Sequence, residues 1–501
     1  MVADPACSNY SGSSIVFGSH EFFGVKSSMY IHRAFAAIVR SLPVVFLALM
    51  LLPSMVHAQT DNDNNNNGDN GNNGNTGVGG IEIDAAGVLR MKRSNPLLTR
   101  QQLMAAKQNL PPQLARPSNL RKVSLNRLEQ AVSGQLAQGQ HPTMEMVALA
   151  GMTRLQYVFF YPDSGDIVLA GPAEGFGRDS VGRIVGVETQ QPCLQLDDVI
   201  VALRAFGPNG RPTKAISVSI DPTEEGLARM QQTLRQLGSN FSSSSDVAII
   251  VRSLQQALGL NTVTLKGVPA GTHFAHVLAE ADYRMKLIGI GLEPVPVPMQ
   301  NYVDRLQASM TSANALMRWY FVPDYQAIAV SEDGQAMQMR GRSVKLVDEA
   351  ELVEATGKRK STGRANPASR GFTTEFTKKF DQICRVQPVY AQLRNLVDLS
   401  IAAAYIQEQD MYQKADWDLG VFANEDALSV ELLPPPKQVD TAINAVLKGS
   451  TLITPIGGGV AIQAHKALAQ ENVQADAEGK IAKVRASIAV DGLDHGQWWW
   501  D

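Results

Sequence analysis

The segment GTHFAHVLAEAD, residues 271–282, sets His273, His276 and Glu280 three and four residues apart. On a helix those intervals bring the side chains to one face. Two imidazoles and a carboxylate can ligate zinc and leave a position for water, which would then act as a nucleophile. The order differs from His-Glu-x-x-His, and no glutamate stands between the histidines as general base. The plainer expectation is a helix with Phe274, Val277 and Leu278 facing the core and both histidines at its rim. The next residues, Asp282-Tyr283-Arg284-Met285-Lys286, mix both charges with an aromatic ring. They could anchor a buried ion-pair network or line a groove for a partner; a solvated helix face is the expectation from base rates.

Other chemistry finds less support. After residue 58 there is no Gly-x-Ser-x-Gly elbow, and neither remaining cysteine sits in a reactive motif. Ser219-Ile220-Asp221-Pro222-Thr223 precedes a helical pattern and reads as N-capping. Gly457-Gly458-Gly459 lacks the Lys-Ser/Thr of a phosphate loop and reads as a hairpin turn, where glycine permits positive φ or close backbone approach. Cys193 and Cys384 are too far apart in sequence for a zinc or disulfide framework. They can pair in an oxidising compartment or remain as two buried thiols. Trp498, Trp499 and Trp500 offer large apolar area at low entropic cost, for a sugar, a partner's pocket or this chain's own body.

The elements that would position these residues follow an N-terminal export signal. His32, Arg33 and Arg40 precede an uncharged apolar run, residues 41–58, which ends in Val56-His57-Ala58. This is the secretory order, with cleavage expected between Ala58 and Gln59, translation expected to start at Met29, and no cysteine to carry a lipid. Pro43, Pro53 and His57 shorten the run below a membrane span. No transmembrane helix is expected after cleavage, and the product is expected in the periplasm, at the cell surface or secreted. Residues 59–80, rich in Asn, Asp and Gly, should form a disordered tether.

The whole chain carries 45 Lys+Arg against 48 Asp+Glu, a formal charge of −3. Residues 1–58 hold three cationic and two acidic side chains, a net +1, which leaves −4 for the rest. That balance argues against nucleic acid as a partner. A hydrophobic content of 44% supports real cores.

Apolar periodicity predicts helices at residues 97–109, 124–138, 197–206, 222–237, 272–287 and, interrupted by Pro388, 372–409. Strands are expected at 155–161, 167–170, 215–220, 261–267, 316–322 and 327–331. QYVFFYPDSGDIVLAG and MRWYFVPDYQAIAVSE share an aromatic strand, a Pro-Asp turn and an apolar strand. Each is followed by an acidic helix start, LDDV at 196–199 and DEAEL at 348–352. The expected fold is α+β, with two related helix and antiparallel-strand modules at 81–240 and 246–357. A basic linker loop at 358–371 and a mainly helical region at 372–501, with a short hairpin in 451–464, complete it.

LQYVFFYPDSGDIVLAGPAEGFG (155–177), ADYRMKLIGIG (281–291), residues 376–406, TPIGGGVAI and the terminal WWWD resemble a family of exported planctomycete proteins defined by domain of unknown function 1598. The resemblance implies only export from an aquatic bacterium with an unusual envelope; the family carries no known activity, fold or ligand to transfer, and no acid/base pair, metal cluster or cofactor loop stands out in the sequence. The leading expectation is therefore a non-catalytic exported protein that binds an envelope protein or polysaccharide and needs no cofactor. The alternative is a zinc-dependent hydrolase using His273, His276 and Glu280.

Overall fold

The computed structural model describes residues 79–501, apart from residues 212, 238–243, 308–314, 355, 357, 362–365, 431, 449 and 495. The expected signal, the Ala58–Gln59 cleavage site and most of the tether lie outside the described residues. Within them the fold is α+β, with 15 α-helices and three sheets. No helix among them is long and apolar enough to cross a membrane.

The large sheet runs, edge to edge, through strands Ile81–Ile83, Val88–Met91, Gln438–Val439, Asn261–Lys266, Ile216–Asp221, Ser450–Ile462, Ala315–Pro323, Val344–Val353 and Arg359–Ser361. A tenth strand, Ile443–Lys448, pairs with Ser450–Ile462. The second sheet is ordered Gln474–Ala475, Ile328–Val330, Ala336–Met339, Tyr157–Tyr161, Asp166–Ala173, Ser118–Ser124, Trp499–Trp500. Both draw strands from all three regions expected from the sequence, so boundaries at 240 and 357 pass through each sheet.

Most helix starts follow local chemistry. Asn95, Ser124, Thr272 and Asn366 each accept a hydrogen bond from a first-turn N–H, and a helix begins at the next residue. Pro388 opens the 21-residue helix Pro388–Glu408, because a fixed φ and a missing N–H cost nothing in a first turn.

Three expectations fail for reasons of packing. DEAEL starts no helix: it lies in strand Val344–Val353, antiparallel to Ala315–Pro323. The glycine run 457–459 is no hairpin turn but lies inside one continuous strand, Ser450–Ile462. There a Cβ on Gly458 (φ +118°) would collide with Trp319 backbone, and one on Gly459 with the Val218 carbonyl. Glycine thus serves close strand approach on both sides. The second expected hairpin also divides, since Ala315–Pro323 stays in the large sheet while Ile328–Val330 pairs with Ala336–Met339 in the other.

The helix that carries the candidate residues, His273–Gly289, packs between the large sheet, at strands Ile216–Asp221 and Ser450–Ile462, and helices Leu196–Ala205 and Pro388–Glu408. Beside it Trp319, Phe321, Phe372, Phe376, Phe380 and Tyr390 are all fully buried and stack at ring distances of 4.8 to 6.4 Å. Such packing fixes the helix on three sides.

Candidate functional site

Fifteen of the 17 residues of His273–Gly289 are buried, so its polar side chains must find partners within the protein. His273 places Nδ1 2.9 Å from Asp198 Oδ2. Its Nε2 meets the amide nitrogens of Gln195 and Gln392 at 3.1 and 3.2 Å. With the amides so placed, Nδ1–H donates to Asp198 and Nε2 accepts. Burial alone would lower the His273 pKa, but the Asp198 carboxylate outweighs it and the net shift is upward. The Asp–His pair matches two members of a hydrolytic triad, yet Nε2 faces two amides and has no hydroxyl to deprotonate.

His276 turns elsewhere. Its Nε2–H donates to the Pro434 carbonyl at 3.0 Å, while Nδ1 is buried without a hydrogen-bond partner among the described residues. Burial lowers its pKa to about 4, so the ring is neutral at pH 7. Glu280 is 1% exposed and accepts from Arg183 Nη2 at 2.5 Å, Arg284 Nε at 3.0 Å and the Gly80 N–H at 3.0 Å. Burial would raise its pKa, but Arg183 and then Arg284 reverse the sign and hold the carboxyl ionised. A Cβ on Gly80 would overlap both the Glu280 carboxylate and the Arg183 guanidinium, so any larger residue must displace their contact.

The three proposed zinc ligands share a helix face but not a centre. Each is committed to a different partner, and no group of three or more His, Cys, Asp or Glu side chains among the described residues is arranged to hold a metal ion. What the face builds is a relay. Gln392 uses its nitrogen toward His273 and its oxygen to accept from Arg183 Nε at 3.0 Å. Arg284 extends the chain to Glu293 at 2.7 Å, and Gln387 donates to the same oxygen at 2.9 Å. Asp198, His273, Gln392, Arg183, Glu280, Arg284 and Glu293 are thus linked in sequence.

The outer end of this relay forms one wall of a cleft of about 450 Å³. Lys92, Arg93, Arg183 and Arg284 line it, against the carboxylates Asp179 and Glu280. Asp179 accepts from the Val181 and Arg183 N–H groups at 3.0 and 2.8 Å; burial nonetheless raises its pKa over the pull of Arg183. With Glu293 counted behind Arg284, the site holds one more cation than carboxylates.

The opposite face of the helix holds a second group. Lys286 and Asp282 are both wholly buried. The Lys286 ammonium donates to Asp282 Oδ2 at 2.7 Å, to the Ile220 carbonyl at 2.8 Å and to the Gly458 carbonyl at 3.1 Å. The ladder between these two strands stops at Gly459–Ser219, and Lys286 takes the carbonyls of the next pair. Burial raises the Asp282 pKa to about 6 against the pull of Lys286. Beside it Arg318 bridges Asp221 and Glu351 at 2.9 and 3.1 Å. The charged stretch 282–286 is therefore a buried network on one side, while Arg284 lines a cleft on the other; the solvated-face expectation is replaced.

Elsewhere, Cys193 and Cys384 are free, buried thiols, and burial pushes Cys384 up to about 12. Trp498 and Trp500 are buried against the chain's own body, and Trp499–Trp500 pairs with Lys122–Val123 as an edge strand. Arg121, fully buried, holds both Asp501 oxygens at 2.9 Å and stacks over the Trp499 ring.

Sequence reasoning missed Arg183, Gln195, Asp198 and Gln392. A signal for two of them existed: Asp198 and Gln392 stand among the apolar residues of helices Leu196–Ala205 and Pro388–Glu408, and a polar residue on a buried face needs a partner.

Residues 218–302 match the family described as protein of unknown function, DUF1598. The match covers the helix from His273 to Gly289, with Ile220 and Asp221 of the adjoining strand; Asp198, Arg183 and Gln392 fall outside it. No curated protein and no solved structure matches the chain.

Proposed function

We propose that this is an exported, non-catalytic binding protein whose cleft beside Glu280 takes a small anionic group, a carboxylate or phosphate, free or carried on an envelope polymer. The three guanidinium groups that line that cleft, Arg93, Arg183 and Arg284, carry the reading. Arg183 and Arg284 are pre-oriented by Glu280, so a ligand need not order them, and guanidinium groups suit planar oxyanions. The uncharged run before Ala58 supports export. Zinc hydrolysis finds no support in the donor geometry, because His273 Nε2 and Glu280 already accept from protein donors and do not converge on one centre with His276.

Calorimetric titration with glucuronate and with inorganic phosphate tests it. One-to-one binding is expected, weakened about tenfold by Lys92→Ala/Arg93→Ala, since removing charge contacts worth roughly 1.4 kcal/mol changes affinity by that factor. Absence of binding to both anions, or one equivalent of tightly held zinc lost in His276→Ala, would overturn it.

A further inference from the structure

A second cleft, of about 540 Å³, opens where the helix Pro388–Glu408 ends. Pro208 and Asn209 form one side and residues between 407 and 418 the other, and Gln407 ties the two by donating to the Gly207 carbonyl at 2.6 Å. The lining bears three carboxylates, Asp410, Asp416 and Asp418, and neither lysine nor arginine. No ion pair joins any of the three to a cation among the described residues. Asp418 accepts one hydrogen bond, from the Gly420 N–H at 3.0 Å.

Two further acceptors on this wall are unused. Tyr412 is 4% exposed, and its hydroxyl has no hydrogen-bond partner among the described residues. The Gln407 side-chain oxygen is likewise buried and unpartnered. Trp417 backs the cleft, its ring 5.9 Å from that of Tyr412. The site thus offers acceptors, negative charge and aromatic rings, and it lacks cationic donors. An ammonium group supplies the complement: three N–H donors, no acceptor and a positive charge that aromatic faces attract. A metal ion fits less well, because the aspartates do not converge as a ligand group.

We infer that this cleft binds a protonated organic amine, independently of the anion site beside Glu280. The carboxylates supply the charge, and Tyr412 with Gln407 sets the position of the nitrogen.

Spermidine titrated into the whole protein at low salt provides the test. One-to-one binding is expected, weakened about tenfold in Asp416→Asn/Asp418→Asn and about threefold in Tyr412→Phe. The aspartates are exposed and the phenyl ring is retained, so circular dichroism and melting should match the parent. Absence of spermidine binding, or binding unchanged in both variants, overturns the inference. Stoichiometric calcium uptake that displaces spermidine and disappears in the double variant also overturns it, in favour of a metal site.

Discussion

Glu280 and Asp282 lie two residues apart on one helix, at 1% and 0% exposure, yet their carboxyl groups are driven in opposite directions. Burial opposes the charge of both. Glu280 gathers two guanidinium groups and a backbone N–H, and its pKa falls. Asp282 has one ammonium, shared with two carbonyls, and one oxygen without a hydrogen bond among the described residues; its pKa rises to about 6. Equal depth therefore says little about ionisation. The number of donors that meet the carboxylate decides it.

Removing the single counter-charge on the poorer side should have the largest effect. Lys286→Met leaves Asp282 buried without its cation and should cost about 3–5 kcal/mol by urea unfolding at pH 7. Adding Asp282→Leu to that variant should recover most of the loss, because a well-packed apolar pair avoids desolvating two ions. A double variant as unstable as the single one would show that Lys286 acts mainly through the Ile220 and Gly458 carbonyls.

Acid titration should separate the two carboxyls by sign. The Asp282 pKa is raised in the folded state, so its contribution is fully present below about pH 4 and is lost as pH rises through about 6. From the usual value of 3.8 that shift corresponds to about 3 kcal/mol. Glu280 has a lowered pKa, so it stabilises above its ordinary value of 4.5 and loses that contribution as pH falls. Stability measured from pH 4 to 7 should therefore rise more steeply with pH in Asp282→Asn than in the parent. Parallel curves would show that Asp282 does not titrate in this window.

Gly80→Ala should cost about 1–3 kcal/mol, since its methyl must displace the Glu280–Arg183 contact and the well-packed surroundings resist added volume. The same substitution at Gly210, where added volume meets nothing within contact distance, should stay within about 0.5 kcal/mol. Smallest of all, Arg93→Ala at the exposed mouth of the cleft should leave the melting temperature nearly unchanged, with its effect confined to anion binding.

The sequence announces the helix better than its surroundings. Apolar periodicity places it within two residues of both ends, and spacing correctly puts His273, His276 and Glu280 on one face. Periodicity says which residues share a face; it does not say what lies opposite. Asp198, Arg183 and Gln392 arrive from segments 75 to 119 residues away, and they convert a metal-like pattern into a hydrogen-bond relay. The same blindness governs DEAEL. Its three acidic residues suit a helix start, but Glu351 instead meets Arg318 across a strand pair, a contact invisible locally. The two similar hairpin sequences diverge likewise: Gly165 at φ +70° closes the first within one sheet, while the turn at Asp324 leads from one sheet to the other.

Strand Ser450–Ile462 is inserted between Ile216–Asp221 and Ala315–Pro323, both made much earlier in the chain. During synthesis, at about 5–20 residues per second, those two strands wait with facing edges open for many seconds. Each exposes unpaired backbone of the kind that recruits foreign strands. The glycine-rich keystone thus leaves both edges unpaired until about the last tenth of the chain emerges.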